Sequence, residues 1–306
     1  MIAPNLIRIK TISEFHSLLK LSPPEHPLIS IIDYSKVQYS LEKNPPSAVF
    51  DFYSISIKRG MDIKMFYGQK EYDFDEGVMF FMAPGQVLKV ETAGNTISEH
   101  SGWLLLIHPD FIWNTSLARN IKRFDYFDYS VNESLFLSQK EEEVIEGIIK
   151  NIQQEYHSNI DKFSHDIIIA QLEVLLHYAE RFYQRQFITR RKVNHKILEN
   201  LERNLNGYFD SDALQLKGLP TVQKIAEELH MSPNYLSEVL KILTGQNTQQ
   251  HIHEKIIERA KSKLSTTDLS VSEIAYALGF KYPQSFSKLF KTKTDLTPLE
   301  FRNSFH

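Results

Sequence analysis

Two short sets of side chains in the last third of the 306-residue sequence stand out for the chemistry they could do. Asn234, Ser237, Glu238 and Lys241 form the first. Gln284, Ser285, Ser287, Lys288 and Lys291 form the second, with Lys293 just beyond. Amide, hydroxyl, carboxylate and ammonium groups make directional hydrogen bonds and ion pairs. Gln suits the two-point edge of adenine, Lys the acceptors of guanine, and Glu the amino group of cytosine. Bond-making chemistry is poorly supplied. With no cysteine, disulfides, thiol nucleophiles and cysteine-held zinc are excluded. His251 and His253 are spaced one residue apart, but positions i and i+2 of a helix face different ways, so the pair reads as surface rather than as a metal clamp.

The elements that must carry these side chains occur twice. Val222, Ile225, Ala226 and Leu229 form an apolar stripe, followed after a short break by Leu236, Val239 and Leu240. Val271, Ile274, Ala275 and Leu278 repeat the stripe 49 residues on; Phe286, Leu289 and Phe290 repeat the second part at an offset of 50. Each copy predicts a helix, a tight turn and a second helix whose exposed face carries the polar set. Boundary residues agree. Thr221 and Ser232-Pro233 are placed to start the two helices of copy one, and Ser270-Val271-Ser272-Glu273 is a capping box opening copy two. Gly279 suits the left-handed end of the first helix of copy two, and Thr297-Pro298-Leu299-Glu300 opens a last helix. Ile252, Ile256, Ile257, Ala260 and Leu264 predict one long helix joining the copies.

The run Val271 to Phe280, continuing through Ser285-Phe286-Ser287-Lys288-Leu289-Phe290-Lys291 to Thr297-Pro298-Leu299-Glu300-Phe301-Arg302, resembles the signature of AraC/XylS-type transcriptional regulators. The resemblance covers about residues 195–306. It implies an all-α tandem helix-turn-helix whose second helices enter successive major grooves of double-stranded DNA, and it implies RNA polymerase as a partner. By position against that signature, Asn234, Ser237, Glu238, Gln284 and Lys288 look like base readers, with Ser285 and Ser287 on the same exposed face. Lys241, Lys291 and Lys293 fall where phosphates would be held. Two positions depart from the pattern: Glu238 stands where a cation is common, and Asp295 where glycine is usual.

The first part reads differently. Ile29–Ile32, Val49–Ile57, Val78–Met82 and Trp103–Ile107 are short β-rich runs separated by turn residues, which predicts a barrel or jelly roll. Glu76 to Gly85 resembles the strand and turn of cupin-like barrels, which in this family often bind an effector. Metal cupins carry a His-x-His; residues 1–189 have none, and His100 and His108 are too isolated to imitate one, so no metal and no cofactor are expected. Met65, Phe66, Tyr67, Phe80, Phe81, Met82 and Trp103 read as core before they read as a pocket. The acidic aromatic run Phe124 to Tyr129 would wrap the barrel or meet a partner. From Ser138 the pattern is helical, with one stripe through Val144, Ile145, Ile148, Ile149 and Ile152 and another through Ile168, Leu172, Leu175, Leu176, Ala179, Phe182 and Tyr183. These helices pack on the strands of their own chain or on a second copy; the first reading is preferred. Arg185 to Lys192 reads as the start of a joint between the two parts.

Charge sharpens the division. Residues 1–189 hold 18 basic and 25 acidic side chains, and residues 190–306 hold 17 and 13, so a mildly basic second part suits a polyanion. No apolar run reaches about 18 residues and no secretory leader opens the sequence, which points to a cytoplasmic protein without a membrane partner. The expected fold is α+β in two domains: a cupin-like β-barrel with appended helices at 1–135, a helical and dimerising region at 136–192, and tandem helix-turn-helix units at 193–306. The expected function is a sequence-specific DNA-binding regulator, activator or repressor, controlled through the barrel by an unknown small molecule, and not an enzyme. The rival reading is a cupin-type enzyme with a helical accessory domain.

Overall fold

The computed structural model describes residues 6–37, 47–59, 66–67, 70–71, 77–88, 101–129, 133–158, 163–189, 191–211, 214 and 217–304. The chain separates into two compact units, Met1–Gln186 and Phe187–His306.

In the first unit, β1 (Leu6–Ile9), β3 (Ser47–Phe50) and β8 (Val87–Leu88) form a three-stranded sheet in the order β1-β3-β8. A five-stranded antiparallel sheet runs in the order β10-β7-β4-β9-β2. Its strands are β2 (Ile29–Asp33), β4 (Tyr53–Arg59), β7 (Val78–Met82), β9 (Ser101–Ile107) and β10 (Leu135–Phe136). A small hairpin joins β5 (Phe66–Tyr67) to β6 (Lys70–Glu71). None of these sheets closes among the described residues, so the expected barrel stands here as open sheets. The larger two share a core: Ile9, Phe50 and Phe52 meet Ile32, Leu104 and Leu106, with helix α1 (Ile12–Leu18) adding Ile12 and Phe15.

The run Val49–Ile57, expected as one strand, is broken at Asp51-Phe52 and belongs to two sheets. Asp51 donates its N–H to the Ile9 carbonyl and its carboxylate takes the Arg8 guanidinium at 2.9 Å, which turns the chain while Phe52 stacks on Phe50. Alternation therefore located the strands and missed the corner.

The outer face of the five-stranded sheet is covered by the chain's own helices. A short helix, α2 (Ser116–Asn120), precedes α3 (Gln139–His157) and α4 (Ser164–Thr189). The Glu141 carboxylate accepts from the Ser138 N–H at 2.9 Å, as the capping box requires. Ile145, Ile148, Ile149 and Ile152 are buried as expected, whereas Val144 is 37% exposed. The whole α4 stripe from Ile168 to Tyr183 is buried. Arg59 of β4 is held by Glu142 and Glu146 of α3, and the Trp103 indole donates to Glu146 at 3.0 Å. Phe124, Tyr126 and Phe127 are interior: Tyr126 packs on Phe81 at 4.6 Å and donates its hydroxyl proton to the Leu176 carbonyl. The acidic aromatic run wraps the sheet. Phe81 and Trp103 are likewise plain core, while Met65 and the side chains of Phe66 and Tyr67 lie outside the described residues. So do His100 and Glu76. The His108 ring accepts from the Asp110 N–H at 3.2 Å at a helical turn.

The second unit is helical: α5 (Arg191–Asp210), α6 (Val222–Glu228), α7 (Pro233–Thr244), α8 (Thr248–Thr266), α9 (Val271–Ala277), α10 (Pro283–Thr294) and α11 (Pro298–Asn303). Arg185 to Lys192, read from sequence as the start of a joint, is mostly helical, the end of α4 and the start of α5. The apolar stripes of both copies are buried or half-buried, led by Ile225, Leu236, Val239, Leu240, Ile274, Phe286 and Phe290. No helix among the described residues is long and apolar enough to cross a membrane.

Candidate nucleic-acid interface

Each copy is assembled by local chemistry. Thr221 accepts from the Lys224 N–H at 3.2 Å and starts α6; Ser232 accepts from the Tyr235 N–H at 3.3 Å and starts α7, with Pro233 where no amide is needed. In copy two, Ser270 and Glu273 exchange both bonds of the capping box at the start of α9. The α10 start has Pro283 but no side-chain cap from Tyr282.

The turn inside each unit passes through one left-handed residue. Copy two uses Gly279, at φ 83, with the Phe280 N–H returning to the Ala275 carbonyl at 3.0 Å. A Cβ there would lie 3.1 Å from the Leu214 carbonyl oxygen, so glycine answers both the backbone angle and a close approach of Leu214 and Gly218. Copy one makes the same turn with His230, at φ 56, and Met231 returning to Ala226 at 2.9 Å. The second helices end alike: α7 at Gly245, φ 78, and α10 at Asp295, φ 61. The Asp295 turn survives without glycine, since a short polar side chain tolerates this conformation better than most.

The linking helix α8 holds the copies together. Asn247 and Gln250 form a capping box at its start, an amide version that the Ser/Thr-to-Glu spacing of the other boxes does not flag. Thr248, fully buried, meets the Ser237 hydroxyl at 3.0 Å and so ties α7 to α8. At the far end Arg302 of α11 donates to the carbonyls of Leu264 and Leu269 at 3.3 and 2.6 Å. No spacing rule marks such an arginine in advance. Nineteen residues of α8 span roughly 28 Å at ~1.5 Å per residue.

Asn234, Ser237, Glu238 and Lys241 fall at i, i+3, i+4 and i+7 on α7, and Gln284, Ser287, Lys288 and Lys291 repeat that line on α10. The first three of the α7 row are half-buried and Lys241 is exposed; Lys241 sits 3.5 Å from Glu238, so acid and base partly cancel. On α10, Gln284, Ser285, Lys288, Lys291 and Lys293 are exposed and Ser287 is half-buried. Among the described residues none of these three lysines is in an ion pair. Ser285 and Lys293 lie off the shared line. His251 and His253 prove half-buried rather than surface: His251 bonds Thr244 at 2.9 Å, His253 bonds Gln249 at 2.8 Å. Burial lowers the pKa of both, and the Lys293 charge lowers that of His253 further. Among the described residues no group of three or more acidic or histidine side chains is placed to hold a metal ion.

Two capped helix pairs on one connecting helix define a tandem helix-turn-helix. Residues 225–304 match the family profile "Helix-turn-helix domain". Over 86 residues the chain is 33% identical to the uncharacterized HTH-type transcriptional regulator YijO of Escherichia coli, covering 28% of this chain and 30% of that protein. It is 36% identical over 81 residues to the xylose operon regulatory protein of Haemophilus influenzae, covering 26% and 21%. Among solved structures, the C-terminal domain of the response regulator yesN from Fusobacterium nucleatum aligns with 29% identity and a TM-score of 0.30, over 34% of this chain and 95% of that one. The chain thus spans under a third of the length of these curated relatives. Its C-terminal segment carries a helix-turn-helix domain of the AraC type.

Proposed function

We propose that the protein is a sequence-specific DNA-binding transcriptional regulator, reading two successive major grooves with α7 and α10. One observation carries this: the same polar row, in the same register, on the second helix of each copy, with both copies packed on one connecting helix. Asn234, Gln284 and Lys288 are assigned to base edges and Lys241, Lys291 and Lys293 to phosphates. Glu238 reads a cytosine amino group once it leaves Lys241, and Ser285 and Ser287 support the α10 contact. Ser237 serves first to pin α7 to Thr248. The exposed lysines of α10, with no carboxylate partner among the described residues, make it the stronger electrostatic anchor of the two.

The first unit belongs in this reading to a cupin-like, non-enzymatic sensor whose ligand controls the second. RNA polymerase is the partner that the family resemblance implies, in the cytoplasm. Homodimerisation is assigned to the exposed Ile167 and Val174 of α4 with Phe163 just before it, 40%, 42% and 57% exposed. Selection of bound sequences from random duplex DNA at fixed salt tests the proposal. A single enriched motif spanning two half-sites about one helical turn apart is expected; no enrichment overturns it.

A further inference from the structure

The turns of the two copies differ by one residue, and the difference has a place. His230 and Gly279 both take the left-handed conformation, and Met231 and Phe280 both return an N–H to an alanine carbonyl, at 2.9 and 3.0 Å. Pro233 and Pro283 then open the second helices alike. Between these matched points copy one has Ser232 alone, while copy two has Lys281 and Tyr282. The extra residue is a lysine exposed to solvent, and its amine lies 5.5 Å from the centre of the Tyr282 ring.

Tyr282 also breaks a local rule. From α6 to α11 every helix but α10 opens on a side chain that accepts an amide proton of its own first turn: Thr221, Ser232, Asn247, Ser270 and Thr297. Tyr282 stands in that place on α10 and caps nothing, because a phenol hydroxyl at the far end of a stiff ring cannot turn back to amides beside its own backbone. Burial does not compensate, since the residue stays 58% exposed. A serine there would stabilise the helix; the tyrosine forgoes the cap and gains little packing. Local rules are broken in this way where a side chain serves something outside the fold. The pair offers a phenol O–H and an ammonium at the end of α10 that leads into the groove. Both residues come before the line that begins at Gln284, so they flank the base-reading side chains rather than join them. At the edge of a groove the group in reach is a phosphate of the bordering strand, which takes protons from Lys and Tyr alike.

We propose that Lys281 and Tyr282 hold a backbone phosphate beside the groove read by α10, a contact with no counterpart in the shorter turn of copy one. This rests on the reading of α7 and α10 as groove helices, and it gives α10 a fixed point that sets its register on the duplex. Binding of the full chain is measured at fixed salt on two duplexes, the one enriched by selection and one of random sequence, with a urea melt of each variant. Tyr282→Phe keeps the ring and removes the donor, and is expected to bind both duplexes about fivefold weaker at an unchanged melt. Tyr282→Ser should bind both about tenfold weaker although it melts at or above the parent, because it restores the cap. Lys281→Met should lower the slope of log affinity against log salt by about 0.9 and leave the enriched motif unchanged. Parent-like affinity of both Tyr282 variants, a parent-like slope for Lys281→Met, or weakening confined to the enriched duplex, as a base reader would give, would each overturn the assignment. So would a Tyr282→Ser that melts below the parent, since the ring would then be supporting the helix. Gln284→Ala separates this contact from the reading beneath it. If it loses affinity for the enriched duplex while Tyr282→Phe, Tyr282→Ser and Lys281→Met match the parent, the groove reading stands and the phosphate contact falls. A parent that binds neither duplex removes both.

Discussion

Three single positions decide how the turns close. His230 holds the left-handed conformation with a bulky side chain where the second copy has glycine, and Asp295 does so with a short one where the first copy has glycine. A left-handed backbone disfavours most side chains by about 1–2 kcal/mol, and the extra freedom of glycine in the unfolded chain returns part of that. His230→Gly is therefore expected to stabilise the second unit by about 0.5–1 kcal/mol, and Asp295→Gly by less, in urea melts. Gly279→Ala should destabilise by about 2 kcal/mol, because it adds the contact with Leu214 to the angle. A neutral result for Gly279→Ala would mean that Leu214, Gly218 and Leu219 do not press on the turn. Positions like these separate what sequence exposes from what it hides. Gly279 was legible because glycine announces a positive φ; His230 carries no such mark, and only the backbone reveals it.

At the scale of the helices, the Ser and Thr caps were readable in advance, while the Asn247 cap and the ties between helices were not. Capping is a matter of residues three apart, so Thr221, Ser232, Ser270 and Thr297 could be assigned from spacing alone, and each accepts the expected amide. Ser237 with Thr248, Arg302 with two carbonyls and the Arg59 pair with α3 join residues far apart in the chain, which periodicity does not encode. The corner at Asp51-Phe52 escaped for the same reason. The caps make a pH prediction. Glu273 is held below the ordinary carboxylate value by the hydroxyl and amide of Ser270, and Glu300 by the amide and hydroxyl of Thr297. The unfolded chain thus binds protons more readily, so this stabilisation is whole above 4.5 and is lost as pH falls through the lower, folded values. Helical circular dichroism followed under acid should show a shallower loss for Glu273→Gln plus Glu300→Gln than for the parent. Equal slopes would mean these carboxylates are not held in the caps.

For the molecule as a whole, the two second helices differ in electrostatic strength. Removing Lys291 or Lys293 should reduce the slope of log affinity against log salt by about 0.9 for each phosphate no longer neutralised, and removing Lys241, already engaged with Glu238, by less. Gln284→Ala should instead weaken binding by about 1–3 kcal/mol at one base position while leaving the salt slope alone. Binding that ignores both changes would separate this surface from DNA. Ile167→Glu with Val174→Glu should shift the sedimentation of a homodimer to that of a monomer at unchanged melting temperature; a parent that is already monomeric refutes the dimer.

Helix α8 is a wall that both copies share. Its buried line from Ile252 to Leu264 supplies interior to α7 on one side and to α9, α10 and α11 on the other. Though the two helix pairs repeat in sequence, both draw on α8 for their interior, so a chain cut between them leaves each fragment with half a room. The repeat duplicates the capped helix pairs and leaves a single foundation beneath them, so the two are expected to melt together in urea, a destabilising change on one side lowering the midpoint of its twin.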